Sequence, residues 1–497
     1  MNNKRTPVHS FVVHLIAGFF FPLATAVHAD AGDFDNSFGS GGKVIISPSG
    51  GNDMAYAIAL QGDGRILVGG SAGNQLALVR LNTDGSLDTS FGSGGTVLTS
   101  VGVFAYGIRA LRAMADGRIV AVGPTLSGSN KQFIMVRYNA DGTLDTSFNT
   151  TGFRLTPFAG AGEDTGVFLF QNDGRVLVAG SISYSQFAVW RFTVDGAADT
   201  TFSSDGLVSV AFGADDIVDE ANAIVVQADN RIVAAGGDST SGGFALARFN
   251  TNGALDTTFG TGGKLITDFG AGPDVAYAVV SQPDGKLIAA GGANNSNRFA
   301  LARYRTDGVL DSTFGIGGKQ TTIFSANASV NALMLQPDGK ILAVGTSGSD
   351  LVVARYNDAG QLDAGFGTGG KKVISYGPSA DNANTALFLT GGRFLLAGSA
   401  RAAQYDFAIS RHNTVTQLLS ATGHISLLRA HDVGTGYGAA PDNIDVEVVV
   451  HGDPSLVVRT GGRAPSGGAA YTLHGRGRLA EDILRALARN GIDLRTD

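Results

Sequence analysis

Short apolar runs separated by turn residues recur along residues 33–412. One run alternates small and larger side chains, as in AYAIAL at residues 55–60, which is the period-two pattern of a β-strand. An Asp-Gly turn then leads into an apolar run such as ILVGG at residues 66–70. Asp-Gly favours a hairpin because both central residues of a type I′ turn need positive φ. The pattern predicts antiparallel hairpins and no helices in this region.

A phenylalanine three residues after an aspartate recurs at intervals of 52 to 57 residues. Each unit also holds a fourth strand-like run, typified by FALARF at residues 244–249. Four antiparallel strands repeated radially are the arrangement by which β-propellers protect strand edges. The repeat predicts an all-β, seven-bladed β-propeller of four-stranded blades. The seven copies are Phe38, Phe91, Phe148, Phe202, Phe259, Phe314 and Phe366.

The two ends of the repeat region predict how the ring closes. The chain begins with the Phe38 turn and a single strand near residues 43–47, so this strand lacks a blade of its own. We expect it to complete the last blade by main-chain pairing. The last repeat supplies only three strand-like runs, near residues 383–389, 393–398 and 407–412.

The repeat resembles the delta-60 repeat family, predicted β-propellers of secreted bacterial proteins. The resemblance rests on QPDGKLIAAGG at residues 282–292, on FALARYRTDGVLDSTFG at residues 299–315, and on their counterparts. In its hairpin-and-glycine layout the repeat is similar to propellers of the NHL type. The resemblance implies a propeller over residues 30–415 and an extracytoplasmic setting, and it implies no established activity.

The N-terminus has the three parts of a signal peptide. Lys4 and Arg5 supply positive charge, residues 11–26 form an apolar core, and Val27-His28-Ala29 offers a small-residue cleavage site. No later stretch approaches the ~20 apolar residues that a spanning helix needs. We therefore expect residues 1–29 to be removed and the mature protein to be secreted, periplasmic or at the cell surface, with no membrane span.

Composition narrows the chemistry further. The chain lacks cysteine, which excludes disulfides and thiolate chemistry. Its net charge of −7 gives no electrostatic reason to expect a nucleic-acid partner. Between residues 30 and 411 there is no histidine, so serine–histidine triads and ordinary zinc sites are excluded from most of the ring. The eight histidines are His9, His14, His28, His412, His424, His431, His451 and His474.

An arginine on the fourth run and the aspartate before the phenylalanine recur in all seven repeats. A residue present in every blade performs the same task everywhere, which favours a bidentate Arg–Asp pair in each blade. The alternative is a ring of charge that faces the channel and binds a polyvalent ligand. The arginines are Arg80, Arg137, Arg191, Arg248, Arg303, Arg355 and Arg411, and the aspartates are Asp35, Asp88, Asp145, Asp199, Asp256, Asp311 and Asp363.

Three further patterns invite functional interpretations that we consider weaker than structural ones. The Asp-Gly-X-Leu-Asp stretches at residues 84–88 and 307–311 carry oxygen ligands for calcium, but aspartate and glycine also recur in turns for backbone reasons. Trp190, the only tryptophan, is interpreted as packing rather than a sugar platform. The glycine-rich turn at residues 92–95 lacks the helix and Lys-Ser/Thr pair of a phosphate loop.

Acidic residues are concentrated in the third and fourth blades. Glu163 and Glu220 are the only glutamates between residues 30 and 411. We interpret the cluster as solvated loops, while a carboxylate mechanism of the glycosidase type stays open. The acidic neighbours of the two glutamates are Asp164, Asp215, Asp216 and Asp219.

Residues 416–497 differ from the repeats and predict a small α/β unit. Apolar residues at helical spacing predict a helix over residues 478–489. The spacing of its potential ligands matches no known metal site. These residues are His431, Asp432, Asp442, Asp445 and Glu447. Strand-like runs occur at residues 424–429, 444–451, 455–459, 469–473 and 492–494.

The sequence favours a non-enzymatic binding or scaffold protein that recognises a protein or glycan. Loops of varying length, near residues 123–131 and 236–243, provide one candidate binding surface. No catalytic, cofactor-binding or metal-binding residue is assigned, and no cofactor is implied. The alternatives are a carboxylate-dependent hydrolase or lyase acting on extracellular polysaccharide, and a self-assembling surface protein.

Overall fold

The computed structural model divides the chain into two compact units, residues 29–416 and residues 1–28 with 417–497. No helix occurs among the residues that it describes. These are residues 28–29, 31–128, 130–159, 164–183, 185–213, 219–238, 242–270, 272–293, 298–324, 327–376, 381–401, 404–414, 417–418, 429–432, 444–447, 457–463, 469–474 and 494–495.

Seven antiparallel sheets, blades 1 to 7, form the larger unit, and in each blade the strands pair in the order first to fourth. In blade 2 the first strand is split into two pieces. In order from first to fourth, the strands of blade 1 are Asp53–Leu60, Ile66–Ala72, Gln75–Leu81 and Thr96–Thr99, and those of blade 2 are Phe104–Ala105 with Ala110–Ala113, Ile119–Ser127, Asn130–Tyr138 and Phe153–Pro157. Blade 3 has Asp164–Phe170, Val176–Ile182, Gln186–Phe192 and Leu207–Val210; blade 4 has Glu220–Val226, Ile232–Asp238, Gly243–Phe249 and Lys264–Thr267; and blade 5 has Val275–Ser281, Leu287–Ala293, Arg298–Tyr304 and Lys319–Ile323. Blade 6 has Ala328–Leu335, Ile341–Ser347, Asp350–Tyr356 and Lys371–Ile374, and blade 7 has Asp381–Leu389, Arg393–Arg401, Tyr405–Asn413 and Lys43–Ile46.

The first strands of neighbouring blades contact one another in a closed circle, so they surround the axis of the ring. The hydrophobic core lies between blades rather than within one centre. One cluster, for example, packs Val233 and Leu246 of blade 4 against Leu287 and Ala300 of blade 5. Because each blade buries both of its faces against neighbours, its middle strands read as almost continuous apolar runs. The predicted seven-bladed, four-stranded propeller is confirmed.

The predicted closure of the ring is also confirmed. The strand Lys43–Ile46 pairs antiparallel with Tyr405–Asn413, with Val44 opposite Ile409. Further main-chain bonds join the segment before it to the same strand, including Asp35 N to Arg411 O at 2.8 Å. The ends of the repeat region are therefore held together by ordinary sheet pairing across blade 7.

One predicted loop is wrong. The segment 123–131 was expected to be a variable loop, but the strands Ile119–Ser127 and Asn130–Tyr138 extend through most of it. The apolar Val122, Phe133 and Met135 are buried against blade 3, which favours a long hairpin over a loop. The other variable segment, 236–243, contains strand residues at both ends, and its residues 239–241 lie outside the described part.

The smaller unit contains short strands. Arg429–Asp432 pairs antiparallel with Ile444–Glu447, Val457–Arg463 pairs antiparallel with Ala469–His474, and the latter pairs in parallel with Leu494–Arg495. Two-residue strands also occur at His28–Ala29 and Gln417–Leu418. The helix predicted over residues 478–489 lies outside the described residues, as do residues 1–27 of the signal peptide predicted over residues 1–29. Nowhere in the described part is there a helix of the length and apolarity needed to cross a membrane.

Candidate functional site

Each repeated arginine forms an ion pair with a repeated aspartate, as the sequence predicts. In blade 4, Arg248 Nε lies 2.7 Å from Asp256 Oδ2, and the two residues are 3% and 4% exposed. The side chains are therefore sequestered rather than presented to a ligand. The other six pairs are Arg80–Asp88, Arg137–Asp145, Arg191–Asp199, Arg303–Asp311, Arg355–Asp363 and Arg411–Asp35.

The predicted bidentate geometry is wrong, because the arginine divides its donors between two blades. Arg248 Nη1 donates to Thr306 O of blade 5 at 2.6 Å, and its guanidinium lies over the Phe259 ring. Gly308 of blade 5 packs against the same ring, where a Cβ atom would lie 3.0 Å from it. The repeated Arg, Asp and Phe of a blade together connect that blade to the next one. We call this group of three residues the staple. The alternative of a ligand-binding charge ring is not supported.

The staple carboxylates are held in the ionised form. Burial by itself would raise the pKa of Asp311, but hydrogen bonds from Thr313 and the charge of Arg303 lower it to about 2. Asp145 likewise has its pKa lowered to about 2, first by the Ser147 hydroxyl and also by Arg137. These aspartates are therefore charged at neutral pH.

In the first of the stretches considered for calcium, the aspartate carboxylates are hydrogen-bonded or ion-paired within the protein. Asp84 Oδ1 accepts bonds from Ser86 N at 2.9 Å and Ser86 Oγ at 2.7 Å, and Asp88 belongs to a staple. These are turn interactions of the kind that aspartate makes for backbone reasons. Within the described ranges, no three His, Asp or Glu side chains are grouped so that they could hold a metal ion.

Trp190 is a packing residue, as predicted. It is 1% exposed, its Nε1 donates to Ala159 O at 2.8 Å, and its ring meets Phe158 edge to face. An amide of the glycine-rich turn is also hydrogen-bonded within the protein, since Gly92 N donates to Asp141 O of the next blade at 2.8 Å. Trp190 is therefore enclosed by the protein, and the amides of Gly92, Ser93 and Gly95 are hydrogen-bonded within it.

His412 is part of the ring closure. It is fully buried, stacks on Phe394, and its Nε2 lies 2.7 Å from Ser410 Oγ. Burial lowers its pKa to about 3, so the imidazole is neutral. A neutral histidine enclosed by a sheet stabilises the closure and does not face a substrate.

The residues that differ between blades lie on the first strands. In blade 1 the pairing register shifts between Ala55 and Ala57, which leaves Tyr56 as an extra, bulged residue. Ala55 packs into the core beside blade 7 and Ala57 into the core beside blade 2, so Tyr56 faces the axis. Equivalent register shifts occur in blades 3 to 7. Bulges commonly redirect a side chain in this way.

These positions form what we call the channel ring. Each member lies ten residues before the residue that begins the buried part of the second strand, for example Tyr56 before Ile66. Six of the seven are polar or aromatic, and no type occupies all blades. The members are Tyr56, Arg109, Gly166, Asn222, Tyr277, Asn331 and Asn384, in blades 1 to 7.

Ring members contact the next blade around the circle. Asn384 Nδ2 donates to Ala55 O at 2.8 Å, and Asn331 Nδ2 donates to Ala383 O at 3.2 Å. The guanidinium of Arg109 lies over the Tyr56 ring at 3.7 Å from its centroid. The polar groups therefore form a belt along the inner strands rather than isolated side chains.

A cavity of about 210 Å³ opens beside the ring between blades 4 and 5. Asn222, Tyr277 and Glu220 line it, and Tyr277 is 40% exposed. Partial burial, and then the charge of Glu220, raise the pKa of Tyr277, so its hydroxyl stays protonated. The cavity thus presents an aromatic face, an amide and three acidic residues, Glu220 and the buried Asp238 and Asp274.

The acidic cluster of the sequence is only partly brought together. Glu220 lines the cavity, whereas Asp219 is buried and accepts a bond from Phe212 N at 3.1 Å. Asp164 occupies the register position in blade 3 that Glu220 occupies in blade 4, opposite Ser181 and Gly237 respectively. Glu163, Asp215 and Asp216, with Asp442 and the histidines at 424 and 451, lie outside the described residues.

Sequence reasoning missed the channel ring. The signal was a polar or aromatic residue between two small ones, as in Ala-Tyr-Ala at residues 276–278 and Ala-Asn-Ala at residues 221–223. That pattern is also the ordinary alternation of a strand, so the bulge is not apparent without the register of the neighbouring strand.

One family model matches part of six of the seven blades. The model described as "Domain of unknown function (DUF5122) beta-propeller" matches six segments, so the chain carries repeats of a propeller type. Each segment ends at a staple phenylalanine, and none includes a channel-ring residue. The segments are residues 61–91, 115–148, 171–202, 227–259, 282–314 and 336–366.

Solved structures show likeness in fold alone. Virginiamycin B lyase from Staphylococcus aureus is 10% identical with a TM-score of 0.46, covering 74% of this chain and 98% of that chain. Regucalcin, a calcium-binding protein from Agrobacterium tumefaciens, is 12% identical with a TM-score of 0.33, covering 64% and 86%. A gluconolactonase from Xanthomonas campestris is 13% identical with a TM-score of 0.31, covering 66% and 96%. No curated protein matches the chain.

Proposed function

We propose that this protein is a non-enzymatic, extracytoplasmic binding protein that recognises a glycan in its central channel. The observation that carries the proposal is the channel ring, where non-equivalent polar and aromatic side chains replace the repeated residues of the rest of the molecule. Binding sites combine a few well-placed polar groups with apolar or aromatic surface. A surface made identical by seven repeats could not distinguish one ligand orientation from another.

The residue types of the ring suit sugar hydroxyls. An asparagine amide offers two donors and an acceptor, and a sugar hydroxyl both donates and accepts. The exposed face of Tyr277 provides an apolar surface on which the C–H face of a sugar ring can pack. Glu220 adds an acceptor in the same cavity. The proposal therefore places one sugar unit between blades 4 and 5.

A glycan array tests this function. The wild-type protein is expected to bind a defined subset of glycans, and the double variant Asn222→Ala/Tyr277→Ala is expected to lose at least ~10-fold in affinity, since it removes a hydrogen-bonding group and an aromatic contact. Ile316→Ala is the matched control, because Ile316 is 87% exposed in a turn between third and fourth strands. Equal binding by the two variants, or no glycan bound by the wild type, would contradict the proposal.

A second candidate function is a carboxylate-dependent hydrolase or lyase acting on polysaccharide. The observation that favours it is the matching register of Asp164 and Glu220 on adjacent first strands. The test is the release of new reducing ends from the glycans that the array selects. Enzymatic release that Asp164→Asn and Glu220→Gln both abolish would favour this candidate, and intact glycans after prolonged incubation would exclude it.

A further inference from the structure

Arg109 differs from the arginines of the staples. Each staple arginine has a carboxylate partner within 3 Å in its own blade, as Arg303 has Asp311 at 2.9 Å. Arg109 is partly buried, and its interaction partner in the described part of the chain is the Tyr56 ring. Within those residues no carboxylate forms an ion pair with Arg109. Burial lowers the pKa of Arg109, and the charge of Tyr56 and a hydrogen bond with it oppose this lowering.

The backbone of blade 2 is shaped to place this residue. Gly107 has a φ of +103°, and a Cβ atom there would lie 2.8 Å from Ser71 N of blade 1. The strand is interrupted at this point, and pairing resumes with Arg109 N donating to Val122 O at 2.8 Å. The interruption therefore brings Arg109 against blade 1, with its guanidinium stacked on Tyr56.

We propose that Arg109, stacked on Tyr56, is an anion-binding subsite of the channel and that the glycan ligand is acidic. This inference rests on the proposed function. A guanidinium whose flat face is covered by an aromatic ring keeps its edge donors directed outward in one plane. That planar set of donors matches the oxygens of a carboxylate or sulfate group. A partly buried cation that has no counter-ion among the described residues is costly, and an acidic sugar supplies a compensating charge.

The contacts of Tyr56 support a positioning role for its ring. The hydroxyl of Tyr56 donates to Met54 Sδ at 3.1 Å in its own strand, and its oxygen accepts a hydrogen bond from the Arg109 guanidinium, which opposes the lowering of the arginine pKa by burial. We therefore expect Tyr56→Ala to lose the orientation of the guanidinium, and Tyr56→Phe to keep the stacked ring while it loses the hydroxyl contact.

Isothermal titration with three probes tests the inference on the full chain. The probes are hexagalacturonate, its fully methyl-esterified form and a sulfated galactose hexamer. We expect one charged probe to bind at least ~10-fold more tightly than the neutral ester, because one charge-assisted hydrogen bond contributes about that factor to affinity. Arg109→Gln should remove this preference, so that the variant binds the charged probe and the neutral ester with equal affinity. Its thermal unfolding midpoint verifies that the variant is folded.

The other outcomes separate the two proposals. Equal affinity for charged and neutral probes, or a charge preference that Arg109→Gln retains, would overturn the acidic-ligand inference while the glycan-binding proposal stands. Failure of every probe and every array glycan to bind would contradict the proposed function and this inference with it. Preference for the uronate or the sulfate probe identifies which anion the subsite accepts.

Discussion

At the scale of single residues, the staple shows why seven blades share one arginine and one aspartate. Removing one partner of a buried ion pair leaves the other charge uncompensated, at a cost of about 3–5 kcal/mol. We expect Arg248→Gln to lower the free energy of unfolding by about 3 kcal/mol, measured by urea denaturation. Arg305→Gln is the control, because Arg305 and Asp307 form an exposed pair, and such pairs contribute little to stability. Similar losses in the two variants would contradict the role of the staple.

His412 makes a prediction about pH. Its pKa is about 3 in the folded protein and about 6.5 when unfolded, so between these values the unfolded chain binds a proton that the folded chain excludes. Stability is therefore full above pH ~6.5 and falls with pH, by about 2 kcal/mol at pH 5. We expect His412→Gln to flatten the dependence of the unfolding free energy on pH between 5 and 7.

The staple aspartates act in a different pH window. Their pKa values are lowered, so their contribution is present above pH ~3.9 and is lost only as pH falls further. A profile of His412→Gln that is as steep as that of the wild type between pH 5 and 7 would show that another group carries the dependence.

At the scale of elements, the strand Lys43–Ile46 closes the ring. Ile46 is 9% exposed in the core between blades 7 and 1, whereas its neighbour Ile45 is 51% exposed on the same strand. We expect Ile46→Asp to lower stability by about 3 kcal/mol, because it buries an unpaired charge, and Ile45→Asp to change it by less than ~0.5 kcal/mol. Thermal unfolding measures both, and matching midpoints would show that closure does not depend on this strand.

The elements themselves were largely predictable. The Asp-Gly turns and the period-two runs predict the blades, because they act locally and recur from repeat to repeat. The single strand before the first complete blade predicts the closure of the ring. The long hairpin of blade 2 was missed since its extra strand residues, such as Thr125 and Gln132, are polar or flank glycine and resemble a loop. Their strand conformation depends on packing against blade 3, which a single sequence does not show.

At the scale of the whole molecule, repetition and specificity occupy different places. The repeated residues hold blades together, and the family match ends at them. The channel ring lies outside that match, and its seven positions hold four residue types, namely tyrosine, arginine, glycine and asparagine. Sequence alone could not assign it, because its members come together only when seven strands surround one axis.

A crystal structure of the full chain with a glycan selected on the array would test the central claim most directly. The account predicts electron density for the sugar at the channel ring, with a ring face on Tyr277 and hydroxyls within hydrogen-bond distance of Asn222. An acidic group would lie beside Arg109. Density for the glycan on the outer strands or on the Asp-Gly turns, with the channel free of ligand, would contradict it.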